Sequence, residues 1–315
     1  MAAALRVFDA RETAAALQFD ALIEALRRRF ARGCEVPQRH VHEMGPPGGP
    51  ALSSLIMPAW VVGQCYGVKV VNVAAANAAR GLPALHATYL LYDATTGAAL
   101  ALIDGDEITA RRTAAASALA ASWLARDDAQ HLLVIGAGRV ARLLPAAYRS
   151  VRPIARVSVW ARKAARAQAL AAEWCAQGYA ASAVADLPAA AAAADIISCA
   201  TLATEPLVHG AWLPPGSHLD LIGSFAPTMR EADDDCLRGA ALYVDTEEAL
   251  AKSGDLLGPL ARGVITRADV RGTLATLARG ETPGRSSAVE RTVFKSVGTA
   301  LADLAAAMLV TGMAG

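Results

Sequence analysis

The chain predicts an α/β protein in which a doubly wound parallel sheet is joined to a smaller α+β domain. Three observations carry this. From His131 onward, short runs that are apolar throughout alternate with helical stretches: HLLVIG (131–136), RVSVW (156–160), YAAS (179–182), DIISCAT (195–201), HLDLIG (218–223) and ALYVD (241–245). Strands apolar at every position are buried on both faces, as parallel pairing under crossover helices demands. Before them, LSSLIM (52–57), GVKVVNV (67–73), ATYLLYD (87–93) and ALALID (99–104) are separated by turn residues, the pattern of an antiparallel meander. The length, 315 residues, suits about two domains.

Taken in order, residues 12–30 read as an amphipathic helix with Leu17, Ile23, Leu26 and Phe30 near one face. A Gly- and Pro-rich loop over 33–50 carries Arg39, His40 and His42. After the meander, Thr109–Leu124 is an alanine-rich helix, 163–177 a second, and the alanine run 189–194 a third. VFKSVGTALADLAAAMLV (293–310) reads as a last long helix that packs back on the first domain. The expected domains are therefore 1–115 with 296–315, and 116–295.

Composition narrows the function classes. Hydrophobic residues make up 54% and charged residues 19%, too apolar for disorder. The mean hydropathy of +0.32 comes mostly from alanine, and no stretch of about 20 strongly apolar residues predicts a membrane span. A net charge of +1 leaves no basic face for nucleic acid and no polybasic membrane patch. MAAALRVFDARE acquires charge too early for a secretory signal. Five cysteines without a CxxC pair fit buried thiols in a reducing cytoplasm, and argue against a disulfide framework or zinc site.

Gly136, Gly138 and Ala141 form G-x-G-x-x-A between a strand and a helix, the Rossmann-type dinucleotide turn. The first glycine permits the tight turn. The second lets backbone approach a pyrophosphate, so Gly136, Ala137, Gly138, Arg139 and Val140 are the expected cradle. An NAD site usually carries an acid about 20 residues on, at the end of the next strand. Here that segment is Val159-Trp160-Ala161-Arg162-Lys163, with no acid. Arg162 and Lys163 are expected to neutralise a 2′-phosphate beside Trp160, so NADP(H) is preferred and NAD(H) stays open. The alternative is a pair of solvated cations at a helix start, where cations are mildly disfavoured. Ser198, Thr201 and Gly223 lie at or beyond strand carboxyl ends, where such folds hold their ligands; of these Thr201 and Gly223 join the expected cofactor set.

Of 30 basic residues only four are lysines (69, 163, 252 and 295), so a lysine here tends to mark a place that needs a compact, titratable amine. Lys69 lies inside an apolar strand; the competing role is an edge lysine that blocks aggregation. Arg39 lies in the loop and Arg112 in a helix, where one of Arg111 and Arg112 is expected to be merely solvated. His40, His42 and His86 are weak candidate proton donors in loops. Asp104, Asp106 and Glu107 read as helix-capping acids, not a metal cage, and no metal site is expected. Cys65 and Cys199 read as small buried apolar residues, and Asp255 as structural.

PQRHV, GVKVVN, LIDGDEITARRTAAASALA, VIGAGRVA, DLIGSFAPTMRE and KSGDLLGP run in order from about residue 37 to 300. In these the chain resembles the ornithine cyclodeaminase/μ-crystallin family. The resemblance implies a substrate and dimerisation domain built from the N-terminal half plus the last helix, and a homodimer. It implies that Arg39, Lys69 and Arg112 hold a substrate carboxylate and that Thr113 lies near the cofactor phosphates. The family's cyclodeaminases carry an aspartate in G-G-D-x-P; this chain reads Gly223-Ser224-Phe225-Ala226-Pro227, and a phenylalanine moves no proton. The resemblance thus points to the ketimine-reductase branch, which reduces Δ1-pyrroline-2-carboxylate to L-proline in hydroxyproline breakdown, with Δ1-piperideine-2-carboxylate (to L-pipecolate) as the six-ring counterpart. Lys69 is the expected proton donor as well as a carboxylate ligand. The alternatives are a lyase of the same scaffold (ornithine cyclodeaminase or hydroxyproline dehydratase), an amino-acid dehydrogenase, and a non-catalytic NADP-binding protein.

Overall fold

The computed structural model describes residues 4–45, 52–83 and 85–313; the Pro/Gly stretch 46–50 of the expected loop lies outside them. The chain divides into two compact units, Met1–Arg112 with Thr299–Gly315, and Thr113–Gly298.

The first unit opens with β1 (Arg6–Phe8), α1 (Ala10–Ala16) and α2 (Phe19–Arg32). The single helix expected over 12–30 is two. Asp9 closes a capping box with Glu12 at the start of α1, and Leu17 leaves helical dihedrals where its side chain is fully buried. Then follow β2 (His40–Met44), β3 (Leu52–Val61), β4 (Cys65–Val73), β5 (Leu85–Asp93) and β6 (Ala99–Asp104). They pair antiparallel in sequence, with β1 added in parallel beside β6, giving the order β1-β6-β5-β4-β3-β2. His40, His42 and His86 therefore sit on strands rather than in loops, because pairing extends β2 and β5 beyond their apolar stretches. β4 lies inside the sheet, so Lys69 is not an edge lysine. α3 (Gly105–Leu124) starts at once after β6. Asp104 accepts the Glu107 N–H (2.8 Å) as a cap should, whereas Asp106 accepts the Ala87 N–H (2.9 Å) and ties the helix start to β5.

The second unit alternates strand and helix: β7 (His131–Ile135), α4 (Arg139–Arg149), β8 (Arg156–Trp160), α5 (Ala164–Ala176), β9 (Ala180–Ala183), α6 (Leu187–Ala192), β10 (Ile196–Cys199), β11 (His218–Leu221), α7 (Asp234–Leu237), β12 (Ala241–Val244), α8 (Ala249–Lys252), α9 (Gly254–Ala261), β13 (Val270–Thr273), α10 (Leu274–Ala278) and β14 (Thr292–Lys295). All pairs are parallel, in the order β13-β12-β14-β11-β10-β7-β8-β9. The order reverses beside β7, the switch point at which such sheets bind ligands. Two strands of this unit, β13 and β14, were not expected. The sequence reads β14 as part of the last helix, yet Thr292–Lys295 is fully buried between β11 and β12. The helix begins only where Thr299 caps α11 (Ala300–Thr311), which belongs to the first unit and packs against α2, β3 and β4. Among the described residues no helix is long and apolar enough to cross a membrane.

Candidate active site

In the first unit, alternation along β4 sends Cys65, Gly67, Lys69 and Val71 to the face covered by helices. Lys69 lies between Met57 and Tyr89 on the neighbouring strands and is 1% exposed. A buried ammonium needs a partner. Asp303, in the first turn of α11, supplies it: its Oδ2 lies 2.7 Å from Lys69 Nζ, and its Oδ1 accepts a hydrogen bond from Arg112 Nε at 2.8 Å. The helix start favours that negative charge. Burial drives the Lys69 ammonium down to about 8; Asp303 opposes this, while Arg112 and Arg39 push it further down. For Asp303 burial alone would raise the carboxyl, but Lys69 and Arg112 overrule it and hold it ionised. Tyr89 Oη, on the same face, is buried with no hydrogen-bond partner among the described residues.

Arg39 immediately precedes β2, half-buried, close enough for its charge to act on Lys69. Arg112 is 7% exposed; Arg111, expected to be the solvated one of the two, is instead half-buried, its Nε paired with Glu107 at 3.0 Å and its Nη1 donating to the Leu17 carbonyl at 3.3 Å. The three predicted cations are thus brought together, and Asp303 is the member that sequence reasoning missed. Thr113 follows Arg112 on α3 and opens the second unit.

In the second unit, a cleft of ≈ 360 Å³ opens at the carboxyl end of β7. Gly136 has φ +120°, and a Cβ there would meet the Ala200 carbonyl oxygen at 2.5 Å, so only glycine fits. Gly138 occupies the N-cap of α4 and offers no side-chain acceptor, and nothing lies within 4 Å of where its Cβ would be. Open space over an uncapped helix N-terminus is what a pyrophosphate requires. Arg139 and Val140 form the first turn of α4. Trp160 and Thr201 line the cleft, as do Arg162, Lys163 and Arg166, with no acid among its described lining residues. Arg166 was not foreseen; it lies one turn on from Lys163 in α5. Gly223 is buried behind the wall, where a Cβ would meet the Thr201 carbonyl oxygen at 2.0 Å. Ser198 does not reach the cleft: it is fully buried and donates to Asp220.

Phe225, where cyclodeaminases carry aspartate, is 48% exposed. Asp255 is paired with Lys295 at 3.1 Å. All five cysteines are free; Cys65, Cys199 and Cys236 are buried, but Cys34 is half-buried and Cys175 exposed, against the expectation of uniformly buried thiols.

A family model described as the ornithine cyclodeaminase/mu-crystallin family matches residues 5–314. The Delta(1)-pyrroline-2-carboxylate reductase of Paracoccus denitrificans is 45% identical over 286 residues, which cover 90% of this chain and 88% of that protein. The structure of Thermococcus litoralis Delta(1)-pyrroline-2-carboxylate reductase, in complex with NADH and L-proline, aligns with a TM-score of 0.92 and 33% identity over 98% of this chain and 97% of that one. An archaeal alanine dehydrogenase dimer with bound NAD aligns with a TM-score of 0.90 and 28% identity over 98% and 96%.

Proposed function

We propose, from the premise that this chain belongs to the ornithine cyclodeaminase/mu-crystallin family, that it is an NAD(P)H-dependent ketimine reductase. Its substrate is a cyclic imino acid, Δ1-pyrroline-2-carboxylate reduced to L-proline, with Δ1-piperideine-2-carboxylate and L-pipecolate as the six-ring pair. The kinship with Delta(1)-pyrroline-2-carboxylate reductases supports this. The observation that carries it is the buried cluster in which Lys69 and Arg112 share the carboxylate of Asp303, with Arg39 close enough for its charge to act on Lys69. Two buried cations, Lys69 and Arg112, against one buried anion leave positive charge in a desolvated place, where a substrate carboxylate restores balance.

Arg39 and Arg112 grip that carboxylate, and the Asp303 contact at Nε fixes the Arg112 guanidinium plane. Lys69 adds charge and holds a proton at Nζ for the imine nitrogen, since an iminium accepts hydride far more readily than an imine. A donor titrating near 8 still carries its proton at neutral pH and yields it more easily than an ordinary lysine. The Gly136–Val140 turn fits a dinucleotide, with Trp160, Thr201 and Gly223 shaping the wall, Thr113 near the phosphates, and Arg162, Lys163 and Arg166 placed for a 2′-phosphate. When bound, the reduced nicotinamide supplies hydride to the imine carbon. We favour NADPH, with NADH accepted. The first unit is the substrate domain and the second the nucleotide domain.

A homodimer through the first unit is part of the proposal. The outer face of its sheet aligns Trp60, Tyr66 and Tyr92 in one cross-strand row and Pro58, Val68 and Leu90 in the next. Each is at least partly exposed, and a continuous apolar sheet face is what a second copy would cover. Free thiols suit a cytoplasmic setting.

A panel of cyclic imines, and of open-chain keto acids with ammonia, run with NADPH and NADH tests the reading. Oxidation with the cyclic imines supports it. Oxidation only with keto acid and ammonia makes the chain an amino-acid dehydrogenase, and product without redox change makes it a lyase.

A further inference from the structure

Glu231 lies in none of the groups above and is fully buried. Its Oε1 accepts hydrogen bonds from the Thr201 N–H (2.7 Å) and Thr201 Oγ1 (2.8 Å). Its Oε2 accepts from the Gly223 N–H (2.7 Å) and, more weakly, the Ser224 N–H (3.3 Å). One carboxylate therefore fastens the segment after β10 to the segment after β11, at the carboxyl ends of two central strands. Thr201 itself lines the cofactor cleft. The Glu231 backbone is held in turn: Asp255 Oδ1 accepts the Glu231 N–H (2.8 Å) and the Ala232 N–H (3.2 Å), and Asp255 Oδ2 pairs with Lys295.

We propose that Glu231 is a positioning residue for the cofactor cleft, its two carboxylate oxygens tying Thr201, which lines the cleft, to Gly223 behind its wall, so that Thr201 is held where the dinucleotide meets it. The role rests on the nicotinamide part of the proposed function and goes beyond it. Four donors converge on the two oxygens, which only the ionised form can serve in full; a protonated carboxyl must turn one O–H toward a donor. Burial drives the Glu231 carboxyl up to about 7, with Lys295 pulling it down, Asp255 pushing it up and the Thr201 bonds pulling it down. Of the other charged or titratable groups nearby, the Cys199 thiol is pushed well up by burial and stays neutral, and Arg230 turns to Asp234. The clasp is therefore complete above about pH 7 and loosens below it.

The test is NADH binding to the whole protein without imino acid, followed by fluorescence between pH 6 and 8.5; NADH avoids the titrating 2′-phosphate of NADPH. The wild type is expected to lose about tenfold in affinity from pH 8.5 to 6, as one charge-assisted interaction is given up. Glu231→Gln resembles the protonated acid. It should bind at pH 8.5 as weakly as the wild type at pH 6, with a flat profile and unchanged far-UV circular dichroism. Thr201→Val removes one donor and should cost about threefold at pH 8.5, keeping the test open if Glu231→Gln does not fold. A flat wild-type profile, or a Glu231→Gln profile matching that of the wild type, overturns the role. Absence of binding of both NADH and NADPH by the wild type at every pH overturns the cofactor reading as well.

Discussion

Lys69→Met keeps the aliphatic stem and deletes the ammonium from the centre of the cation cluster. Nζ lies 2.7 Å from Asp303 in a place 1% exposed to solvent, so little water screens the loss. As a carboxylate ligand alone, Lys69 contributes a charged hydrogen bond of about 1.5–3 kcal/mol, which raises KM about 10- to 150-fold. As proton donor it adds about 10²–10⁴ in kcat. The variant should therefore lose at least about a hundredfold in kcat/KM, read from the reduced-nicotinamide absorbance with Δ1-pyrroline-2-carboxylate. The pH profile separates the roles. The Lys69 ammonium is depressed from 10.5 to about 8, so the active, protonated form disappears as pH rises through about 8. Wild-type kcat should fall about tenfold per unit above that point, and Lys69→Met should lack this limb. A variant within about threefold of the wild type, or one that retains the same alkaline limb, would refute the role of Lys69.

Arg112→Lys keeps the charge but loses the planar fork held by Asp303; KM for the imino acid should rise about tenfold or more while KM for NADPH stays unchanged, as steady-state kinetics would read. Replacing both Arg162 and Lys163 with alanine should weaken NADPH about 10- to 100-fold and leave NADH within about threefold, measured by binding titration. Equal losses for both nucleotides would remove the 2′-phosphate assignment. Val68→Asp places a charge at the centre of the exposed apolar sheet face, and sedimentation should show dimer giving way to monomer; a wild type that sediments as a monomer would discard that interface.

Much of this molecule was legible because buried parallel strands are apolar at every position and leave plain runs such as HLLVIG. β14 was hidden because its apolar stretch runs nearly unbroken into α11; the signal that separates them is Gly298-Thr299, a glycine followed by a helix cap. β1, three residues long, and β2, exposed at every position, carry no hydrophobic pattern of their own and exist through pairing. The cations could be picked out by type and place, but their common partner could not. Asp303 looks like an ordinary first-turn acid in ALADLAAAMLV. The cue was available, since a lone acid in a helix apolar all round must be paired inside. Glu231 was masked by its neighbours in MREADDD, a run that reads as a solvated surface, and only tertiary structure reveals that this one acid turns inward.

In the proposed reaction, hydride reaches the ring carbon that bears the carboxylate. The measurement is turnover of Δ1-pyrroline-2-carboxylate with NADPH deuterated at C4 on the transferring face, with the product analysed by mass spectrometry and proton NMR. The predicted result is L-proline carrying one deuterium at Cα. L-Proline free of deuterium, or no proline while the nucleotide remains reduced, would contradict it.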